Sequence, residues 1–387
     1  MIESGFHYIA TIIIIIGLVT WIEKKYPHRI FEILPSIVII YAFVMLLSSF
    51  GLLAKTKSIN DTYTTFKDAL LPAMIFLMLL DADMRSISKL GKKMIFTFLL
   101  ATLSIIIGFV VSFGIFHDLL ASNAWMGFAA LCGSWIGGTG NMIAIQGALN
   151  VPSDLMGNII ITDSVNYTFW VMLLLALVPF AAKFNIWSNA DTSIIDKIST
   201  KLDNSEKQKT EISSASIILL LGISLCINIM SDAIASYLPT TKFLSHYTWV
   251  VLITTLFGIF TAMTPLSKVG GSNLISSIML YMLVALIAST ADFSEMSQAP
   301  IFILAGSIVL VTHLLLMIIF AKVFKLDLFS IGVASLANIG GVASAPILAS
   351  AYSKALIPIG VLMALMGYIL GTGGGLMTGK ILEIIAK

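Results

Sequence analysis

One acid in this chain stands where packing alone does not explain it. Asp163 lies about eight residues into the run 155–182, which carries no other charged residue. An ionisable group at that depth in an apolar segment is expensive, and its default reading is functional. Asn166 and Tyr167 follow at i+3 and i+4, on the same helical face, where they could share a bound cation or proton with Asp163. Upstream, Gly133-Ser134-Trp135-Ile136-Gly137-Gly138-Thr139-Gly140-Asn141 packs four glycines into eight positions. Glycine costs a helix interior about 1 kcal/mol relative to alanine. Gly133 and Gly137 also form a G-x-x-x-G pair, so close packing is one reading of the run. The other is unwound backbone, tolerated at membrane depth only inside protein or beside a polar cavity. Asn338-Ile339-Gly340-Gly341-Val342-Ala343-Ser344-Ala345-Pro346 is a second such run, with a proline that removes a donor and kinks a helix.

Paired breaks at corresponding places in two halves mark the central site of a secondary transporter. Free N–H groups at half-helix N-termini suit anions, and unwound carbonyls or C-terminal ends suit cations. Candidate ion ligands are therefore Asp163, Asn141, Asn166, Asn338 and Ser344, with Asp163 and Asn141 as the metal ligands if Na⁺ is the ion. Candidate solute contacts are Thr139, Gly140, Gln146, Tyr167, Gly340 and Gly341. Other polar groups have plainer readings: Asp81, Asp83 and Arg85 as interfacial ion pairs, Asp292 as interfacial, Asn228 and Asp232 as structural, His313 as a satisfied packing histidine. Gly374 to Lys380 spells G-x-x-x-x-G-K, but Ile381 replaces the magnesium-binding hydroxyl and no strand precedes it. With no H-E-x-x-H and no G-x-S-x-G either, neither a hydrolase nor an ATP-driven pump is supported, and no catalytic residue or organic cofactor is expected. Cys132 and Cys226 cannot form a disulfide framework or a zinc site.

The elements that must hold these residues are membrane helices. Hydrophobic residues make up 58% of the 387 and charged residues 11%, against roughly 25% charged in soluble domains. A net charge of +2 offers no basic face for nucleic acid. Twelve apolar segments stand out, near 6–22, 34–53, 66–83, 94–116, 124–149, 155–182, 215–236, 247–264, 273–291, 299–321, 328–352 and 355–384. The first has no basic n-region, so it reads as a span and not a cleaved signal. The polar stretch 183–212 separates two sets of six, and Ile194, Ile195, Ile198 and Leu202 in it have the spacing of a surface helix. The domain reading is a first membrane repeat (1–182), a cytoplasmic linker (183–212) and a second repeat (213–387). The glycine runs fall in the fifth segment of one half and of the other, as repeats would place them.

Lysine and arginine concentrate on the cytoplasmic side. If all twelve segments cross and alternate, the 22 basic residues divide 13 to 9. If the second half is inverted, they divide 17 to 5, with Lys55, Lys57, Lys67, Lys242 and Lys354 as the minority and Lys380 and Lys387 among the majority. Inversion requires an odd number of crossings between the halves, so the twelve-segment count is wrong by one, by this reading somewhere in 150–212.

The runs GSWIGGTGNMIAIQGAL (133–149), TDSVNYTFW (162–170) and LMGYILGTGGGL (365–376), with LLDADMRSISKLG (79–91) upstream, resemble the DUF819 (YjcL-like) membrane proteins over essentially the whole chain. That family is distantly similar to cation/proton antiporters and bile-acid sodium symporters. The resemblance implies two inverted repeats, a crossover of two broken helices in a core domain, and a second domain serving as dimer scaffold. Thr162-Asp163 stands where the antiporters place an acidic or Asn-Asp pair, with one acid only. The basic residue of electrogenic antiporters has no counterpart between Lys354 and Lys380, which favours symport. The expectation is thus an all-α polytopic protein of about 11–13 transmembrane helices, in two inverted repeats with crossing discontinuous helices. It would be a homodimer of the inner membrane, coupling Na⁺ or H⁺ to a small anionic organic solute. A monovalent cation/proton antiporter and a non-transporting scaffold or sensor are the alternatives.

Overall fold

The computed structural model describes residues 1–26, 36–54, 56–80, 90–191, 211–241, 245–290, 299–353 and 356–387. Asp81, Asp83, Arg85, Asp292 and the linker positions Ile194, Ile195, Ile198 and Leu202 lie outside them. In lipid the backbone must satisfy its own hydrogen bonds, so an apolar chain of this length folds into helices. Among the described residues these are α1 (Gly5–Lys25), α2 (Ser36–Ser49), α3 (Lys57–Leu80), α4 (Gly91–Phe116), α5 (Ala124–Gly137), α6 (Thr139–Leu149), α7 (Ser153–Leu177), α8 (Ala181–Ser188), α9 (Ser214–Ala235), α10 (His246–Ala262), α11 (Ser272–Ala288), α12 (Ala299–Phe324), α13 (Leu328–Ile339), α14 (Gly341–Tyr352) and α15 (Ile357–Ile385). Among the described residues seven helices are long and apolar enough to cross a membrane: α1, α3, α4, α7 continued into α8, α9, α12 and α15. The protein is an all-α polytopic membrane protein.

Hydrogen bonds identify the two ends of the bundle. At one end Gly5 N donates to Ser58 Oγ (3.0 Å), Tyr8 meets Ser289 Oγ (2.6 Å), and Ser48 Oγ donates to the Ser289 carbonyl (2.7 Å). Ser153 joins the same end through Thr290 (2.5 Å). At the other end Lys93 pairs with Asp327 (3.1 Å) and donates to the Asp191 carbonyl (2.7 Å), and Leu328 N donates to Asn185 Oδ1 (2.9 Å). We call these the Ser289 end and the Asp327 end. α1 begins at the first. α9 begins at the second, because Ile217 and Leu220 of its opening turns face Gly271, which caps the start of α11.

The two glycine runs do not make helices that cross the bundle. Gly133 of α5 packs directly on Ile145 of α6, twelve positions later, where a straight helix would separate them by about 18 Å. Trp125 and Leu149 flank the same residue, Gly379. In the second run the rings of Phe329 and Tyr352 meet edge-on at 5.3 Å. Each run therefore doubles back as a helical hairpin, α5–α6 from the Ser289 end and α13–α14 from the Asp327 end. The expectation of crossing discontinuous helices is corrected on this point. The reversals sit on glycines in conformations that side chains avoid: Gly138 at φ 83°, ψ 174°, and Gly341 at φ 60°.

The hairpins also bear on the segment count. The fifth and eleventh segments each enter and return on one side, so the twelve-segment count is too high by two and not by one, and the miscounted crossing between the halves lies at 124–149 and not within 150–212. The tally of basic residues changes with it. α15 runs antiparallel to α5, placing Gly379 beside Trp125, so Lys380 and Lys387 stand at the Ser289 end and not with Lys93.

The helices pack in two groups, each drawn from both halves of the chain. α4–α7 lie with α12–α15, and α1–α3 lie with α9–α11. The tightest seam joins α5 and α15, where Gly367, Gly371, Gly375 and Gly379, spaced by four, meet Gly137, Gly133 and Ala129. Small residues at that spacing let two backbones touch, which replaces the missing hydrophobic drive between helices in lipid.

Candidate functional site

Both hairpin tips open onto one cavity of about 310 Å³ between the two helix groups. The first tip contributes Gly138, Thr139 and Gly140, and the second contributes Ile339, Gly340 and Gly341. α7 presents Ile160, Asp163, Ser164 and Tyr167, the i, i+3, i+4, i+7 stripe of one helical face. Met74 and Met78 of α3, Leu280 and Val284 of α11, and Met142 of α6 form an apolar wall. Asn273, exposed in the first turn of α11, stands at the cavity's edge toward the Asp327 end.

Asp163 is held from the first hairpin. Ser134 Oγ donates to Oδ2 at 2.8 Å and Trp135 Nε1 donates to Oδ1 at 2.7 Å. Hydrogen bonds to a charged acceptor are about twice as strong as neutral ones, so the two donors fix the carboxylate's orientation. Trp135 is fully buried, its indole against Phe109 with ring centroids 5.4 Å apart. The carboxylate remains partly exposed, one turn before the tip, with the cavity beside it. Ser134 and Trp135 are not among the candidates that the sequence singles out. The available signal was their place one turn before the glycine break, on a helix parallel to the one that bears the acid.

Of the sequence-predicted residues, Thr139, Gly140, Asp163, Tyr167, Gly340 and Gly341 come together around the cavity. Of the others, the three asparagines serve the frame. Asn141 accepts from Thr372 of α15 (2.6 Å) and donates to the Gly137 carbonyl (2.6 Å), stapling the first tip. Asn338 accepts from Thr102 of α4 (2.8 Å) and donates to the Ala334 carbonyl (2.9 Å), doing the same for the second. Asn166 turns away to α12, accepting from Ser307 (2.9 Å) and donating to the Ile303 carbonyl (3.2 Å). Gln146 donates to the Val151 carbonyl (3.2 Å) at the far end of α6. Ser344 is buried one turn behind the second tip, with Gly340 wedged between it and the Tyr167 ring. His313 bridges Ser104 (2.6 Å) and Ser335 (2.8 Å), a satisfied buried histidine.

A family model described as a protein of unknown function, DUF819, matches residues 10–385. The chain belongs to the DUF819 family. Among curated proteins it is similar to the uncharacterized membrane protein YjcL of Bacillus subtilis (strain 168), at 22% identity over 357 residues, covering 89% of this chain and 88% of that one. In this DUF819 protein the cavity has two chemical sides. The ends of α5 and α13 bring backbone carbonyls, which add to Asp163 and the serine hydroxyls a set of hard oxygen donors, the chemistry that suits a monovalent cation or a proton. The starts of α6 and α14 bring first-turn N–H groups that have no acceptor within their helices, which suit an anion. Among the described residues no three His, Cys, Asp or Glu side chains converge as a multivalent metal centre would require.

Proposed function

We propose that this protein is an ion-coupled secondary transporter, moving a small organic anion with Na⁺ or H⁺ by alternating access around the cavity at the hairpin tips. The observation that carries the reading is the meeting of both glycine-broken tips at one cavity with Asp163. Discontinuous helices that meet near the midplane are how transporters put ion and solute ligands in lipid at tolerable cost. Two further features support it. α1 and α9 start at opposite ends, as two inverted repeats require. The site lies between two helix groups, so one could shift against the other and expose it to either side.

We place the Asp327 end in the cytoplasm of a cell whose inner membrane the bundle spans. Lys92, Lys93, Lys183, Lys322 and Lys325 at that end support the orientation, with Lys57, Lys67, Lys380 and Lys387 at the other. The arrangement with Asn273 at the cavity's edge is then the inward-facing one. Exchange of a monovalent cation for a proton is a second reading, favoured by Asp163 being the one acid among the described lining residues. Currents from proteoliposomes on a solid-supported membrane separate the two. Symport gives a current that needs solute and coupling ion together. Exchange gives proton flux on a cation jump alone, and silence in both conditions rejects transport.

A further inference from the structure

We infer that the solute this cavity takes is a monocarboxylate with an apolar body, its carboxylate at the two hairpin tips and its body against the methionine wall; this rests on the transport reading above. Three features of the cavity carry it. First, α6 and α14, of 11 and 12 residues, both start at the cavity, and the glycines at the two reversals, Gly138 and Gly341, have room beside them, so an anion can approach the backbone N–H groups there. Second, Ser164 Oγ is buried in the cavity wall and has no hydrogen-bond partner. A buried hydroxyl left unsatisfied is costly and marks a place where something else completes the bond. Third, the facing wall is mainly apolar and adaptable, Met74, Met78, Met142, Leu280 and Val284, with Ser276 and Ser277 beside them on α11.

The charge count narrows the class. Among the described lining residues none is basic, and Asp163 is already acidic. Each helix start supplies roughly half a positive charge, and the carbonyl ends of α5 and α13 at the same tips roughly half a negative one, so the favourable potential is confined to the N–H groups themselves. So local a potential suits one carboxylate. A dicarboxylate or a phosphate would leave a second negative charge against Met and Leu side chains or beside Asp163, with no basic side chain among the described lining residues to balance it. The volume, about 310 Å³, is at the small end of ligand pockets, which run from roughly 300 to 1,000 Å³.

The test is thermal unfolding of the purified full-length protein in detergent, with hexanoate, hexanol, adipate or inorganic phosphate added in Na⁺ buffer. Hexanoate should raise Tm in a saturable way, and the other three should not. Ser164→Ala should weaken hexanoate binding about tenfold or more, the worth of a hydrogen bond to a charged group. Its Tm without ligand should not fall, because the lost hydroxyl has no partner to abandon. Stabilisation by hexanol equal to that by hexanoate, tighter binding of adipate or phosphate, no response to hexanoate, or hexanoate binding unchanged in Ser164→Ala would each overturn the inference. Hexanoate binding with no solute-driven current would keep the carboxylate site and sink the transport reading. Currents carried by an amine or a sugar, with hexanoate inert, would do the reverse.

Discussion

At the scale of single residues, Asp163 differs from every other acid among the described residues in the way it is held. A tryptophan and a serine of another helix aim their hydrogens at its two oxygens, which leaves the carboxylate oriented at the edge of the cavity. Asn in its place can still accept from Trp135 and can donate to Ser134, so the frame keeps its hydrogen bonds while the negative charge is lost. Asp163→Asn should therefore abolish ion-stimulated current, yet shift stability by only about 1 kcal/mol or less. Currents from reconstituted protein and thermal unfolding in detergent check both halves. Full current in the variant would show that the coupling ion binds elsewhere. The asparagines teach the opposite lesson. Asn141 and Asn338 look like ligands in the sequence because they adjoin the breaks, but each side-chain oxygen accepts from a threonine of a neighbouring helix, Thr372 or Thr102.

At the scale of elements, the glycines divide into those the packing needs and those it does not. A Cβ on Gly375 would lie 2.9 Å from the Ala129 carbonyl and from Gly133 N, both backbone atoms that cannot rotate aside. A Cβ on Gly373, two residues earlier in the same helix, meets nothing within 4 Å. Gly375→Ala should thus cost about 1–3 kcal/mol, the range for overpacking a tight core. Gly373→Ala should cost nothing, since alanine is the better helix former. Thermal unfolding of both variants is the measurement, and equal stability would refute the seam between α5 and α15. GTGGG reads in sequence as a uniform flexible run. Only the angular position of each glycine on α15 decides which one touches a neighbour.

At the scale of the whole molecule, the hairpins set which loops share a side of the membrane. In a background with Cys132→Ala and Cys226→Ser, single cysteines at Ser122 and Asn150 should label from the same side. Cysteines at Lys325 and Ser353 should both label from the opposite one. A membrane-impermeant thiol reagent applied to intact cells and to inverted vesicles reads this directly. Labelling of Ser122→Cys and Asn150→Cys from opposite sides would mean that the first glycine run crosses after all. The pattern also fixes what the site can do. Two hairpins entering from opposite ends bring their tips to one depth, so neither tip alone forms the cavity.

Much of this was open to reading in the sequence itself. Apolar length and scarcity of charge dictate membrane helices, because lipid leaves the backbone no other partner. Paired glycine runs locate the breaks, and a lone acid in an apolar run singles out Asp163. What the residues do not encode locally is direction. Whether a chain continues past Gly138 or doubles back depends on which surface the following helix can bury, and here it is α5 itself together with the glycine face of α15. For the same reason Ser134, Trp135, Ser164 and the methionine wall joined the site only in three dimensions. They lie on helices whose neighbours are set by packing, at sequence distances that no periodicity reports.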